Sequence, residues 1–341
     1  MSKSIYRHAA AIALVGACLV GQGGTASAAD HFADKTITIN VGLPPGGGYD
    51  LYARELAQFW GKHIPGNPNI IVQNRPGAGS VRAANYVYEV APKDGTQLAL
   101  TLNVTAVFQV VGASGVKYDV GKINWIGNMV NLPGLMVVWH TAPAKTMEEV
   151  RKKELIVGTT GGKQGEAYIY AVMMKAFTGS KLKIIGGYQG TQSLDPALER
   201  GEIQARSVAW NSLMISRPDW IEKKLILPLV QVSLFKDPHL PNTPLLVDYA
   251  TSDDARKVLE LVSATSSFSR AVWGPPGMDP KIVEILRKAF DDTMKDPAFL
   301  ADAKKRQFEI SPNTGAEVEA LAKKALAIPP HVKELAREAM K

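Results

Sequence analysis

The chain has 341 residues, 46% hydrophobic and 21% charged, with 39 Lys and Arg against 32 Asp and Glu and a net charge of +7. That length supports a sizeable core and favours two domains over one. The basic residues form no stripe or block, which argues against a nucleic-acid-binding face and suits small anionic ligands.

Residues 1–28 read as a secretory signal. Lys3 and Arg7 make a basic start, "AAAIALVGACLV" (9–20) is an apolar run too short for a membrane anchor, and "ASA" (26–28) supplies small residues for cleavage. Cleavage is expected after Ala28. Lipid attachment at Cys18, within "VGAC", is the alternative. Loss of Cys18 would leave the mature chain without cysteine. No later stretch reaches membrane-spanning length without charges, so a soluble, periplasmic protein is expected.

After the signal, "TITINVGL" (36–43) alternates as a strand, "PPGGGY" follows, and residues 50–63 read as a helix with Asp50 as N-cap and Leu51, Leu56, Phe59 and Trp60 on one face. "IIVQN" (70–74) is a strand, "RPGAGS" (75–80) a second glycine loop and "VRAANYVYEV" (81–90) a helix. The unit recurs as strand 155–160, loop "GGKQG" (161–165) and helix 166–177. It recurs again as strand 181–188, loop "QGTQS" (189–193) and short helix 194–200. Residues 279–306 and 315–340 are helical. Repeated strand, glycine loop and helix predict α/β layers with mainly parallel strands.

Glycine loops ahead of helices matter because the first helical turn leaves N–H groups without partners and carries a partial positive charge. Absent Cβ atoms let an anion approach that backbone. Singly, each loop reads more simply as a tight connection. Three glycines after two stiffening prolines (44–48) are harder to explain that way. Neither a P-loop nor a dinucleotide fingerprint fits: Gly162-Lys163 is followed by Gln164, and Gly77-Ala78-Gly79-Ser80-Val81 by Arg82. There is no nucleophile elbow and no zinc-protease motif, and the histidines are isolated. Absence of motifs does not exclude an enzyme, but nothing here argues for one, and no cofactor or metal is expected.

Pro44–Asp50, Val72–Ser80 and Ala91–Thr96, in that order, resemble the opening of the Bug (TctC) family, the extracytoplasmic solute receptors of tripartite tricarboxylate transporters. "YDVGKINWIG" (118–127) and "GPPGMDPKIVEILRKAFDDTMKDP" (274–297) extend the resemblance over roughly residues 35–320. The resemblance implies a type II periplasmic-binding-protein fold, with two α/β domains and a ligand cleft between them. Its domains would be 30–131 plus 249–341, and 132–248. It implies no enzymatic activity. It implies a small organic-acid ligand and, as partners, a large and a small integral membrane subunit; a monomer is expected. Carried over, the first ligand loop is Pro45, Gly46, Gly47, Gly48, Tyr49 and Asp50, flanked by Gly77, Ala78, Gly79 and Ser80. The second is Thr160, Gly161, Gly162 and Gln164, with Tyr188, Gln189 and Gly190.

Three positions depart from the family pattern. Tyr49 replaces the usual Thr, Gln189 replaces Lys, and Arg206 stands where many members are acidic. Arg206 suits either a bidentate ligand carboxylate or a salt bridge. These changes favour an acid without an amino group, including aromatic acids, with Tyr49, Tyr188 or Trp210 as an aromatic wall. A ligand-sensing subunit of a two-component system and an exported hydrolase are the competing functions.

Overall fold

A computed structural model describes residues 31–160, 162–188 and 190–341. Two sheets organise the chain. The first is built from β1 (Thr36–Val41), β2 (Asn69–Asn74), β3 (Gln97–Leu100), β4 (Asn124–Asn128), β10 (Ala271–Gly274) and β11 (Asn313–Thr314), in the order β11-β4-β10-β3-β1-β2. The second takes β5 (Gly134–Trp139), β6 (Leu155–Thr160), β7 (Leu182–Tyr188), β8 (Ala205–Ala209) and β9 (Ile226–Val232), in the order β7-β6-β8-β5-β9. Helices of eight residues or more are α1 (Gly48–Trp60), α2 (Glu166–Thr178), α3 (Thr191–Glu199), α4 (Asp253–Ser263), α5 (Pro280–Thr293), α6 (Pro297–Lys305), α7 (Gly315–Leu326) and α8 (Pro330–Ala339).

The sheets are mixed, where mainly parallel strands were expected. β1 pairs parallel with β2 and β3, and β6 with β7 and β8. β11 pairs antiparallel with β4, and the other two antiparallel strands follow a passage between sheets. β5 runs against β8 and β9, and β10 against β3 and β4. A strand that enters from the other sheet needs no helical crossover, so the right-handed βαβ rule does not constrain its direction.

β5 shows the layering. Leu135, Val137 and Trp139 face one buried cluster with Leu194, Leu198 and Trp220, while Met136 and Val138 join the main core on the other face. That period of two, with every residue buried, marks a strand covered on both faces. α1 buries Tyr52, Ala53, Leu56 and Trp60, but Leu51 is exposed, contrary to its expected place on the buried face. The helix expected over 81–90 is α-helical only to Asn85 and continues as a π-helical turn over Tyr86–Val90. The 279–306 helix is two helices, with Asp296 capping the second through the Ala298 N–H.

The two passages between the sheets run side by side. Met129 N–H donates to Arg270 O at 3.3 Å, Leu132 N–H to Ser266 O at 3.1 Å, and Arg270 N–H to Asn128 Oδ1 at 2.8 Å. After the second passage begins, α4 and α8 pack on α2 of the second sheet, so the C-terminal part of the chain touches both halves.

Candidate functional site

The first loop is held by its own helix. Gly47 is the N-cap of α1, and Asp50, expected to cap it, lies one turn inside and folds back: Gly46 N–H donates to Asp50 Oδ2 at 2.8 Å. Arg54 and Asn74 also donate to this buried carboxylate, at 3.0 and 2.9 Å. Burial works against its charge, but the hydrogen bonds from Arg54, Gly46 and Asn74 outweigh it and hold the carboxyl below its ordinary range. Gly46 N–H is therefore committed within the chain. The first-turn N–H groups of Gly48 and Tyr49 have no intrahelical acceptor.

Tyr49 is buried, and its hydroxyl accepts from Asn103 N–H at 3.2 Å. The Arg270 guanidinium lies 3.9 Å from its ring centre. Burial pushes the phenol far above its ordinary range, with Arg270 opposing, so the hydroxyl stays neutral. Tyr49 thus acts as a packed strut more than as an open wall. Asn103 Nδ2 reaches across to the second half, donating to Glu166 Oε1 at 2.9 Å; Tyr170 OH donates to the same oxygen at 2.7 Å and meets Thr265 Oγ1 at 2.9 Å.

The second glycine loop has four successive residues at positive φ: Gly77 (142°), Ala78 (48°), Gly79 (59°) and Ser80 (75°). Ala78 and Ser80 adopt the left-handed region without glycine's freedom, a form of strain that collects at functional segments. Ser80 Oγ donates to Gly42 O and accepts from Leu102 N–H, each at 3.2 Å, which ties the loop to the ends of β1 and β3. Gly79 abuts the other half: a Cβ there would stand 2.3 Å from Gln164 O. Gln164 Nε2 reaches Ser114 O at 3.4 Å.

So Gly46–Asp50, Gly77–Ser80 and Gly162–Gln164 gather where the halves meet, joined by Asn103, Glu166 and Tyr170. Thr160 and Tyr188 are partners across β6 and β7, and Gly190 precedes α3 as its N-cap. Tyr188 and Trp210 are half-buried against the Leu135–Trp220 cluster. Among the described residues, no hydrogen bond joins Tyr188 or Gly190 to the first loop. Gly161 and Gln189 lie outside the described residues.

Arg206 takes the salt-bridge alternative. It is 1% exposed on β8, with Nη2 at 2.9 Å from Asp195 Oδ1 of α3. Burial lowers its pKa and raises that of Asp195, each opposed by the attraction between them. Its Nη2 is committed to Asp195.

Asn103, Glu166, Tyr170 and Arg270 were not singled out in the sequence. Glu166 had a signal, since it follows a glycine loop at a helix start. Arg270 had none: it is more than 200 residues from the loop that it covers. A recess of about 610 Å³ lies away from the loops along α5, between Arg287, Lys288, Asp291 and Lys295. It is an open groove of charged, solvated side chains. Among the described residues there is no group of three metal-ligating side chains, and no helix is long and apolar enough to cross a membrane.

No protein-family model matches the chain. The chain is similar to a UPF0065 protein of Cupriavidus necator, 27% identical over 295 residues, which covers 80% of this chain and 78% of that one. Among solved structures it is similar to a TctC solute-binding protein from Polaromonas (TM-score 0.64, 21% identity, 89% of this chain and 98% of that one). It is also similar to the periplasmic binding protein BugD (0.62, 19%, 90% and 98%). A third is MatC from Rhodopseudomonas palustris with bound malate (0.61, 16%, 90% and 99%). The chain therefore has the two-part α/β fold of the TctC and Bug solute-binding proteins, as the motif resemblance implied.

Proposed function

We propose that this protein is a periplasmic solute-binding receptor of the Bug (TctC) family that captures a small carboxylate and delivers it to the large and small membrane subunits of a tripartite transporter. The observation that carries the reading is the meeting of three glycine-bearing loops at the junction of two sheets joined by two antiparallel, side-by-side passages. Such passages are where hinge rotation opens and closes a cleft. The solved relatives that hold ligands include one with malate and one with adipate, which supports a carboxylate. On this reading the domains are 30–131 plus 249–341, and 132–248. The chain is exported by its first 28 residues, and it binds without turnover.

The ligand sites are Pro45 through Asp50, Gly77 through Ser80, Thr160, Gly161, Gly162 and Gln164, and Tyr188 through Gly190. In the first loop, the groups offered to the anion are the N–H of Gly48 and Tyr49, with Asp50 holding the loop in shape.

The test is a thermal-unfolding screen of the mature chain against aliphatic and aromatic acids and their neutral amides. A ligand at about 100 times its Kd adds about 2.7 kcal/mol to stability. A shift with an acid, none with its amide, and recovery of the acid unchanged are the expected results. Turnover of the acid would overturn the receptor reading in favour of an enzyme.

A further inference from the structure

We propose that Arg270 and Asn103 are ligand-binding residues, and that the preferred ligand is a small carboxylate with a hydrogen-bond donor, amino or hydroxyl, on the carbon beside the acid. This rests on the receptor reading above and departs from the amino-free acid expected from the sequence, since Arg206 is paired with Asp195.

Arg270 is the last residue of the second passage, immediately before β10. Its backbone is fixed at both ends, by Asn128 and by Met129. Its guanidinium is held by stacking on Tyr49, with Tyr52 at 5.2 Å, and by donation to Ser269 O. Nη2 stands 2.8 Å from where a Cβ would sit on Gly48, so any larger residue at the start of α1 would displace it. Among the described residues no carboxylate lies within ion-pairing distance of Arg270, and its buried Nε has no partner. The neighbouring acids are engaged elsewhere, Asp50 with Arg54 and Asn74, and Glu166 with Asn103 and Tyr170. A cation pressed against a helix N-terminus meets charge of its own sign, and an anion between the two resolves that conflict.

Asn103 supplies the second, independent observation. It is 5% exposed, and its Oδ1 has no partner. Its amide orientation is set by chemistry, because the atom facing the Glu166 carboxylate must be the donor Nδ2. That leaves a buried acceptor wanting a donor. The same residue's N–H holds the Tyr49 hydroxyl, on whose ring Arg270 stacks. Cation and acceptor thus flank one tyrosine. A carboxylate on Arg270 and the Gly48 and Tyr49 N–H groups puts the adjacent carbon toward Asn103. Glu166 beside it favours an amino or hydroxyl group there and disfavours a second carboxylate. The competing account of the same oxygen is a single water, since a void of about 10 Å³ touches Asn103.

The experiment measures affinities of the mature wild type, Arg270→Gln and Arg270→Lys for three matched sets: propionate, lactate and alanine; 3-phenylpropionate, phenyllactate and phenylalanine; succinate, malate and aspartate. Ligand-free melting temperatures are recorded for each protein. The expected result is at least about tenfold tighter binding of a donor-bearing acid than of its plain counterpart, with hydroxy and amino members showing which donor is preferred. Arg270→Gln should lose at least about tenfold in that affinity while its ligand-free melting temperature holds or rises, and Arg270→Lys should fall between. Equal binding of plain and donor-bearing acids would overturn the assigned ligand class and favour the water. Unchanged affinity in Arg270→Gln, with a lowered melting temperature, would make Arg270 a packing residue and overturn its assignment while leaving the receptor reading intact. No binding of any acid by the wild type would overturn both.

Discussion

Glu55 offers a sharp test of the electrostatics around α1. Its side chain is 1% exposed, and neither carboxylate oxygen has a hydrogen-bond partner. Arg306 Nε lies 3.1 Å from Glu55 Oε2 and 2.7 Å from Asp302 Oδ2, so two acids share one guanidinium. Burial, with the Asp302 charge adding to it, raises Glu55 from 4.5 to about 7, against the pull of Arg306. The folded state therefore keeps a proton that the unfolded chain has released between those pH values. Stability from this site is full below about pH 4.5, declines as pH rises through the window and levels off above about 7. Two and a half pKa units correspond to about 3 kcal/mol at most. Asp302, whose charge adds to that shift, is partly exposed, and solvent screening of it reduces the expected swing to about 2 kcal/mol. Urea midpoints of wild type and Glu55→Gln at pH 5, 6, 7 and 8 measure it. The glutamine mimics the protonated acid, so the variant should be the more stable at pH 8 and should show a flatter pH profile. Parallel profiles for the two proteins would refute the reasoning.

Three further outcomes follow from named contacts. Asp50→Asn should destabilise by about 1–3 kcal/mol at pH 7, because Arg54, Asn74 and Gly46 N–H lose a charged acceptor. Since the folded-state pKa of Asp50 is depressed, the wild-type advantage is present above the unfolded carboxyl pKa and should vanish as pH falls through the folded value, as chemical denaturation at pH 7 and pH 3 would show. Gly79→Ala should cost about 1–3 kcal/mol and weaken acid binding, because the added Cβ meets Gln164 O in a left-handed backbone; calorimetry of empty and acid-bound protein separates the two effects. Arg206→Met alone should cost about 3 kcal/mol by leaving Asp195 with only the more distant Arg217, at 3.8 Å, and Asp195→Leu added to it should recover most of that loss in a double-mutant cycle of melting temperatures.

The sequence by itself determined the local units. Period-two and helical patterns placed β1, β2, β6 and β7 and the long helices. The proline and glycine run at 44–48 marked the turn into α1, with Gly46 at positive φ, because those signals depend on nearest neighbours along the chain. The four positive φ values at 77–80 were half legible: Gly77 and Gly79 announce them, whereas Ala78 between them and Ser80, tied to Gly42 and Leu102, do not. Only the tertiary structure decided which charges are free. Arg206 and Arg270 are indistinguishable as letters, yet α3 brings Asp195 to one, while Tyr49 and Gly48 hold the other with no carboxylate in ion-pairing distance among the described residues. Likewise Asp50 reads as an N-cap until Arg54 and Asn74 draw it inward. Partner choice of this kind is fixed by which strands lie side by side and where the chain passes between the sheets, and those are long-range facts that no local pattern encodes.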